Sequence, residues 1–439
     1  MTQLAEFRAS LDGESFSPDS PGYEATRRPA NAAFRDARPR LVVACRSVSD
    51  VVAAVRYAAA AGDRIAPRGG GHCFAGRSST DGIVVDMAGL DGVRVAGARI
   101  ATIRAGACLG QVYEALAAGG RTLPAGCGST VGITGLTLGG GIGLLGRTYG
   151  LTCDHLVGAQ IVLADGSVVV CDYGHEPDLF WALRGAGGGQ FGVVTSLRFQ
   201  TVPEPVATRI EARWTGSALP ELVTAWQAWA PDAPDELTVS LTLVSSPGEP
   251  VQATLFGAST LDQGLARELL REFAGRADVP PAFELCAGVP FHELKQTFAG
   301  LDPPGQVLRI RSEFFSHAMS ERTVASLLDA FGTSRPASRR QLTFTAMGGA
   351  YNRVAEDATA FAHRGERFLL EHMAGPADPW PDRSWAIAHA DGSGRVYPNF
   401  PDPALDDPAA AYHAGNYPRL SAVKHAYDPG RFFDFPQAI

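Results

Sequence analysis

With 439 residues the chain is too long for one small core, and two domains are the natural expectation. Hydrophobic residues make up 45% and charged residues 19%, the composition of an ordinary globular protein. A net charge of -8 without any basic tract argues against nucleic acid or an anionic membrane as partner.

The first segment, Met1 to Asp19, is polar, with neither a basic cluster nor an apolar run, which argues against a secretory signal. No stretch approaches the roughly 18 apolar residues of a membrane span. Leu41–Cys45 is an apolar, β-prone run, and Ser49 or Asp50 is placed to cap a helix over Val51–Ala61, which carries Val52, Val55 and Ala59 at helical spacing. Ile65–Pro67 reads as a short strand leading into Arg68-Gly-Gly-Gly-His72. Ile83–Met87 and Ile100–Arg104 read as further strands, and Leu109–Ala118 as a helix. Composition shifts at Thr201–Pro205, where a glycine-rich half gives way to a glycine-poorer one.

Beyond that point Glu236–Ser245, Gln252–Thr260, Val307–Phe315 and Leu342–Met347 read as strands. Leu261–Ala274 places Leu261, Leu265, Leu269 and Phe273 on one helical face, and Thr323–Phe331 is similar. Several strands with few helices between them predict an antiparallel sheet with helices on one face. The tail from Tyr397, rich in Pro, Asn and Tyr, reads as a return to the first half. The seven cysteines (Cys45, Cys73, Cys108, Cys127, Cys153, Cys171, Cys286) are odd in number and scattered. That pattern disfavours a disulfide framework or a zinc site and fits a reducing cytoplasm.

Three glycine-rich segments dominate: Arg68–Gly76, Gly126–Gly150 and Gly185–Gly192. Clustered glycines let backbone N–H groups approach a pyrophosphate closely. Two GxGxxG strings occur, at Gly141–Gly146 and Gly187–Gly192. Neither has the strand–turn–helix setting of a nicotinamide dinucleotide site. Gly192 runs into the alternating strand VVTSLRF, and the first string has no acid about twenty residues on.

The ordered motifs identify a family. They are Pro67-Arg-Gly-Gly-Gly-His72; Pro124-Ala-Gly126 with Val131-Gly132-x-x-Gly135; and Gly139-Gly-Gly141-x-Gly143-x-x-x-Arg147-x-x-Gly150-Leu151-x-x-Asp154. Then follow Asp178-Leu-Phe-Trp-Ala-Leu-Arg-Gly185, Phe191-Gly-Val-Val-Thr195, Tyr397-x-Asn-Phe400, Gly415-Asn-Tyr417 and Tyr427-Asp-Pro429. From about Pro29 onward the chain resembles the berberine-bridge-enzyme-like branch of the vanillyl-alcohol-oxidase, or PCMH-type, flavoproteins. The resemblance implies an α+β fold: an FAD-binding domain of two α/β subdomains, residues 1–205 and 401–439, and a substrate domain, residues 206–400, with an antiparallel sheet flanked by helices.

By the same resemblance, FAD is bonded through its 8α-methyl carbon to His72. It is cradled by Arg68, Gly69, Gly70, Gly71 and Gly76, then by Cys127, Gly128, Thr130, Val131, Gly135, Gly139, Gly140, Gly143 and Asp154. Gly192, Val193, Val194, Asn416 and Tyr417 complete the implied cofactor site. Relatives with a second flavin link keep a cysteine at the place of Gly128. Cys127 lies one residue early, where its side chain would tend to point elsewhere unless a local bulge turns it.

The catalytic groups are less legible. Alkaloid-oxidising relatives keep a glutamate where this chain has Asn352 or Arg353, so no carboxylate base carries over. Sugar-oxidising relatives keep a tyrosine where this chain has Ile142, and a second tyrosine near the place of Tyr397. Tyr397 is therefore the expected acid/base, with Arg353 expected to lower its pKa. Asn399 is an expected polar contact to flavin or substrate. No histidine has a partner at metal-ligand spacing, so no metal is expected. The implied activity is that of an oxidase passing electrons from a small, fairly apolar alcohol or secondary metabolite to O₂. The rival readings are an oxygenase or oxidative cyclase of the same fold, a sugar or alcohol dehydrogenase, and a non-catalytic flavin-binding protein. The oligomeric state is not readable from the sequence.

Overall fold

A computed structural model describes residues 2–97, 99–216, 218–280, 282–298, 307, 309–332 and 339–439. Leu308, within one of the strands expected from sequence, lies outside the described residues; that strand is described from Arg309 to Phe315.

The N-terminal half holds two larger sheets and a two-stranded one that pairs Arg121–Thr122 with Val202–Pro203. In the first, the strands Leu41–Ala44, Ile83–Asp86 and Ile65–Arg68 run parallel, and Glu14–Phe16 adds an antiparallel edge. Pro67 is tolerated because its strand lies at the other edge. The helix Val48–Ala61 crosses between two of these strands. Its cap is Ser47, three residues earlier than the predicted start implies. Asp50 closes the capping box instead of serving as the cap, and its carboxylate also accepts from the N–H groups of Asp12, Gly13 and Arg46. Gly62, in the left-handed region at φ 66°, ends the helix. The second sheet is antiparallel: Val93–Ala96, Ile100–Arg104, Val193–Gln200, Leu156–Val162 and Val168–Cys171 in spatial order. The strand directly after Gly192 is thus its centre, as the alternation in VVTSLRF predicts.

The middle of the chain builds a seven-stranded antiparallel sheet. Its order is Phe283–Pro290, Val206–Thr215, Gln252–Ser259, Leu237–Ser245, Arg340–Ala346, Phe368–Ala374 and Arg309–Phe315. Strand alternation divides its side chains between two faces. Leu237, Val239, Leu241, Leu243, Leu342, Phe344, Phe368 and Leu370 pack into one core with Trp226, Phe273, Leu327 and Trp380 from the overlying helices. The other face is turned toward the glycine-rich half. The helix expected to bury Leu265 begins at Gln263, capped by Asp262. That phase buries Ala266, Leu270 and Phe273 and leaves Leu265 45% exposed.

The tail does return. Leu420, Val423 and Ile439 pack into the core of the second N-terminal sheet. Lys424 Nζ donates to the carbonyls of Gln190 and Phe433 and pairs with Asp428 at 2.8 Å. No helix among the described residues is long and apolar enough to cross a membrane.

Candidate active site

A cavity of about 1440 Å³ lies between the glycine loops and the open face of the seven-stranded sheet. Of the residues expected to hold a cofactor, Gly69, Gly70, Gly71, His72, Gly76, Cys127, Gly128, Val131, Gly135, Gly143, Gly192 and Val194 line it. Cys127 faces the cavity together with Gly128, although its register argued for another direction.

The loop Gly69–His72 is shaped by close approach. A Cβ on Gly70 would sit 2.3 Å from the Gly132 nitrogen, so the loop and the turn opening the helix Ile133–Leu138 touch backbone to backbone. Gly71 and Gly76 both adopt positive φ, 72° and 71°. None of the N–H groups of Gly69, Gly70, Gly71 or His72 has an acceptor among the described residues. Ser79 Oγ is likewise buried, unpartnered and on the cavity wall. A row of unpaired donors in a glycine-walled cleft is what a pyrophosphate needs, and in this respect the residues fit a dinucleotide cofactor.

His72 is held by Thr130, whose hydroxyl lies 3.0 Å from Nε2. Burial lowers the His72 pKa, so its ring is neutral and nucleophilic at neutral pH. Thr130 thus acts through His72 and does not line the cavity.

The other residues expected to contact the cofactor make these contacts within the protein. Arg68 turns inward, donating to the Arg27 and Thr26 carbonyls and pairing with Asp86 at 2.7 Å. Gly139 and Gly140 leave room for Asn399 and the Phe361 ring, since a Cβ on Gly139 would fall 2.2 Å from Asn399 Oδ1. Asp154 forms a two-pronged pair with Arg364 at 2.6 and 2.9 Å. Val193 is fully buried in the first sheet's core. Asn416 Nδ2 donates to the carbonyls of Glu356 and Thr359, and Tyr417 stacks on His413.

Two of the three expected catalytic groups are also elsewhere. Asn352 accepts from the Gly348 N–H and donates to the Glu366 carbonyl. Arg353 is 61% exposed and pairs with Asp235 at 2.6 Å, so it does not act on Tyr397. Tyr397 itself reaches the cavity. Its Oη accepts from the N–H groups of Gly141 at 3.0 Å and Ile142 at 3.1 Å, and from Asn399 Nδ2 at 2.9 Å. Burial pushes its pKa up to about 12, with these three donors pulling the other way. Asn399 thus contacts Tyr397 and the Leu136 carbonyl. Beside it, Tyr351 donates to the Gly143 carbonyl at 2.8 Å.

Motif reading gave no sign of the sheet wall. Thr238, Ser240 and Thr242 from one strand, Gln341, Thr343 and Thr345 from its neighbour, and Leu369, Glu371 and Met373 from the next all face the cavity. Thr242 and Thr343 hydroxyls lie 3.2 Å apart, and Gln341 Nε2 donates to Thr343 at 3.1 Å. Thr238 Oγ1 is buried without a partner. The available signal was the strict alternation of Thr and Ser with Leu and Val over Leu237–Leu243.

Comparison with known proteins gives the family and the fold. Family profiles described as FAD binding domain and as berberine and berberine like match residues 39–172 and 396–439. The chain is 33% identical to YgaK, an uncharacterized FAD-linked oxidoreductase of Bacillus subtilis (strain 168), over 98% of each chain. Its fold superposes on BBE-like 1 of Physcomitrella patens with a TM-score of 0.88 at 27% identity, covering 99% of this chain and 98% of that one. It superposes equally fully on glucooligosaccharide oxidase from Acremonium strictum, described with a 6-S-cysteinyl, 8α-N1-histidyl FAD. That TM-score is 0.87 at 26% identity, over 100% and 99% of the two chains. The chain belongs to the berberine-bridge-enzyme-like family of FAD-linked oxidoreductases.

Proposed function

We propose that the protein is an oxidase that removes two electrons from a small alcohol donor and passes them to O₂, with FAD bonded to His72. FAD, when bound, supplies the two-electron acceptor and its reoxidation by O₂. The observation that carries the reading is one cavity with two unlike walls. One is a glycine-lined cradle of unpaired N–H groups around a neutral His72, and the other is a sheet face bearing hydroxyl groups, the Gln341 amide and the Glu371 carboxylate.

The division of labour follows the chain. Residues 1–205 and 401–439 supply the cradle and its supports, and residues 206–400 supply the substrate wall. Tyr397 enters the reaction as a neutral phenol. Three N–H groups converge on its oxygen and fix its position, which leaves its O–H to hold the donor's oxygen. Cys127, on the same wall as His72, is the candidate for a second flavin bond.

The donor carries several polar groups, in place of the fairly apolar one expected from Ile142. The support is the row of Thr, Ser and Gln side chains on the sheet wall. A hydrocarbon placed there would strand the buried Thr238 hydroxyl without a partner. The test is oxygen consumption and H₂O₂ formation with maltotriose and with benzyl alcohol. Turnover of maltotriose is expected to exceed that of benzyl alcohol, and a reduced flavin that persists in air would make the protein a dehydrogenase. Denatured wild-type polypeptide is expected to retain flavin absorbance through acid precipitation, and His72→Ala to release it.

A further inference from the structure

The sheet wall carries two arginines besides its hydroxyls: Arg213 on the strand Val206–Thr215, and Arg339 just ahead of Arg340–Ala346. We propose that Arg339 binds a carboxylate at the far end of the donor, which makes the substrate class an acidic oligosaccharide of about three units. The inference rests on the oxidase reading with a polar donor and narrows it.

The Arg339 guanidinium is a charge held in place without a counter-charge. Among the described residues its bond runs from Nη2 to Gln341 Oε1 at 2.6 Å, and no carboxylate pairs with it. Its Nε is buried and has no partner. Gln341, 7% exposed, donates through Nε2 to Thr343, whose hydroxyl lies 3.2 Å from that of Thr242. That chain turns the amide oxygen toward Arg339 and fixes the arginine head at the cavity wall. A charged N–H taken out of water without an acceptor is costly. A carboxylate is the acceptor whose two oxygens match a guanidinium.

The surrounding charge favours an anion. Arg213 pairs with Glu211, and Arg209 pairs with the same carboxylate, so this edge of the sheet is left with one positive charge in excess. The carboxylate on the sheet wall is that of Glu371, which register sets beside Thr343. Thr343 lies two same-face positions inward of Arg339, about 13 Å along the strand, so Glu371 stands apart from a group bound there.

Strand geometry sets the length of the donor. Thr345 pairs in register with Leu369, which packs in one cluster with Tyr397, the group that holds the donor oxygen in the reading above. From Thr345 through Thr343 and Gln341 to Arg339 the same face runs for about 20 Å. Less the reach of the arginine, that gap takes about three linked pyranose rings and is too long for two. The side chains between the two ends are the hydroxyls and the amide that suit sugar hydroxyls.

The test uses two donors that differ in one group: maltotriose, and maltotriose with a carboxylate in place of the C6 alcohol of its non-reducing unit. Both offer the reducing-end hydroxyl to Tyr397. In anaerobic stopped-flow reduction of the holoenzyme, the half-saturating concentration reports binding and the plateau rate reports chemistry. The acidic donor is expected to half-saturate at an about 10–100-fold lower concentration, with the plateau unchanged. In Arg339→Gln the two donors are expected to half-saturate alike, and Arg339→Lys, which keeps the charge without the fork, to keep part of the difference. Maltose bearing the same carboxylate is expected to gain nothing over maltose, because it ends short of Arg339. Retained flavin and an unchanged melting temperature show that each variant has folded. Added NaCl is expected to shrink the advantage in the wild type, a check that needs no variant. Equal half-saturation in the wild type, an advantage that survives Arg339→Gln or added salt, or the same advantage with the maltose pair each overturns the proposal. Flavin reduction by maltotriose then leaves the oxidase reading standing. A wild-type enzyme that neither trisaccharide reduces overturns the polar-donor reading and this proposal with it.

Discussion

Three N–H groups converge on the Tyr397 oxygen, two of them from the backbone of the glycine run Gly139–Gly143. Tyr397→Phe removes the shared acceptor and leaves those donors buried and unpaired, so it costs more than one hydrogen bond. A loss of about 2–4 kcal/mol is expected from urea unfolding, alongside a slower reaction. Asp154 makes a similar point away from the chemistry. Its carboxylate holds Arg364, 2% exposed, and caps the Leu151 N–H, joining the second glycine segment to the loop after Tyr351. Asp154→Ala strands a buried guanidinium and is expected to destabilise the fold by about 3–5 kcal/mol. Retention of flavin by whatever fraction folds would confirm that Asp154 is a support and not a cofactor contact.

At the scale of elements, the two glycine loops are held by contact between their backbones, and single substitutions there have unequal consequences. Gly70→Ala would drive a methyl group into the Gly132 nitrogen at 2.3 Å, in a contact where neither partner is a flexible side chain. The loops must separate, and purified Gly70→Ala is expected to carry little or no flavin. Gly97 also has positive φ, 62°, but a Cβ there meets nothing within 4 Å. Gly97→Ala is expected to cost about 1 kcal/mol of backbone strain and to leave flavin content unchanged. Ser47→Ala, which opens the capping box of the helix Val48–Ala61, is expected to cost about 1 kcal/mol in the same assay. Elements with regular period were the legible ones. The strand over Leu237–Ser245 and the helix over Glu321–Gly332 announce themselves by alternation and by helical spacing. Phe368–Ala374 does not. It presents Leu, Leu, Glu, His and Met in a run whose two faces differ only once one of them is packed against Trp226 and Phe344 and the other is open.

For the whole molecule, buried ionisable groups set the response to pH. Burial pushes His363 and His372 down to about 3 and His413 to about 4, so all three are neutral in the native state. The unfolded chain protonates them near pH 6.5. As pH falls from about 6.5 toward 4 the unfolded state takes up protons that the native state refuses, and stability declines. Lys295 acts on the alkaline side. Its amine is fully buried over the Tyr113 ring at 3.5 Å and donates to the Leu123 and Ala125 carbonyls, and burial pushes it down to about 7. Between about 7 and 10 the unfolded chain holds that proton and the native chain has released it, so this group adds stability as pH rises. Urea midpoints are expected to climb from pH 4.5 to about 8, above which the buried thiols of Cys45, Cys153 and Cys171, whose pKa values burial raises, oppose Lys295. Lys295→Met is expected to flatten the part of the climb above about 7, and an unchanged slope would show that Lys295 keeps its proton in the native state.

Family resemblance named FAD, and the sequence by itself determined what local chemistry dictates: that glycine loops bracket a histidine, that a β-rich segment follows Pro205, and that the tail rejoins the first half. Each of these is written in residue types that serve one backbone geometry or one periodicity. Tertiary structure alone decided which motif residues touch the cavity. Arg68, Asp154, Asn416 and Asn352 sit within or beside motifs yet spend their polar groups on neighbouring carbonyls, amides and charges. Cys127 and Glu371, by contrast, face inward. The reason is directional: a motif fixes where the backbone runs, but the face a side chain takes is set by packing against the rest of the fold, which for Asp154 is a segment 210 residues away.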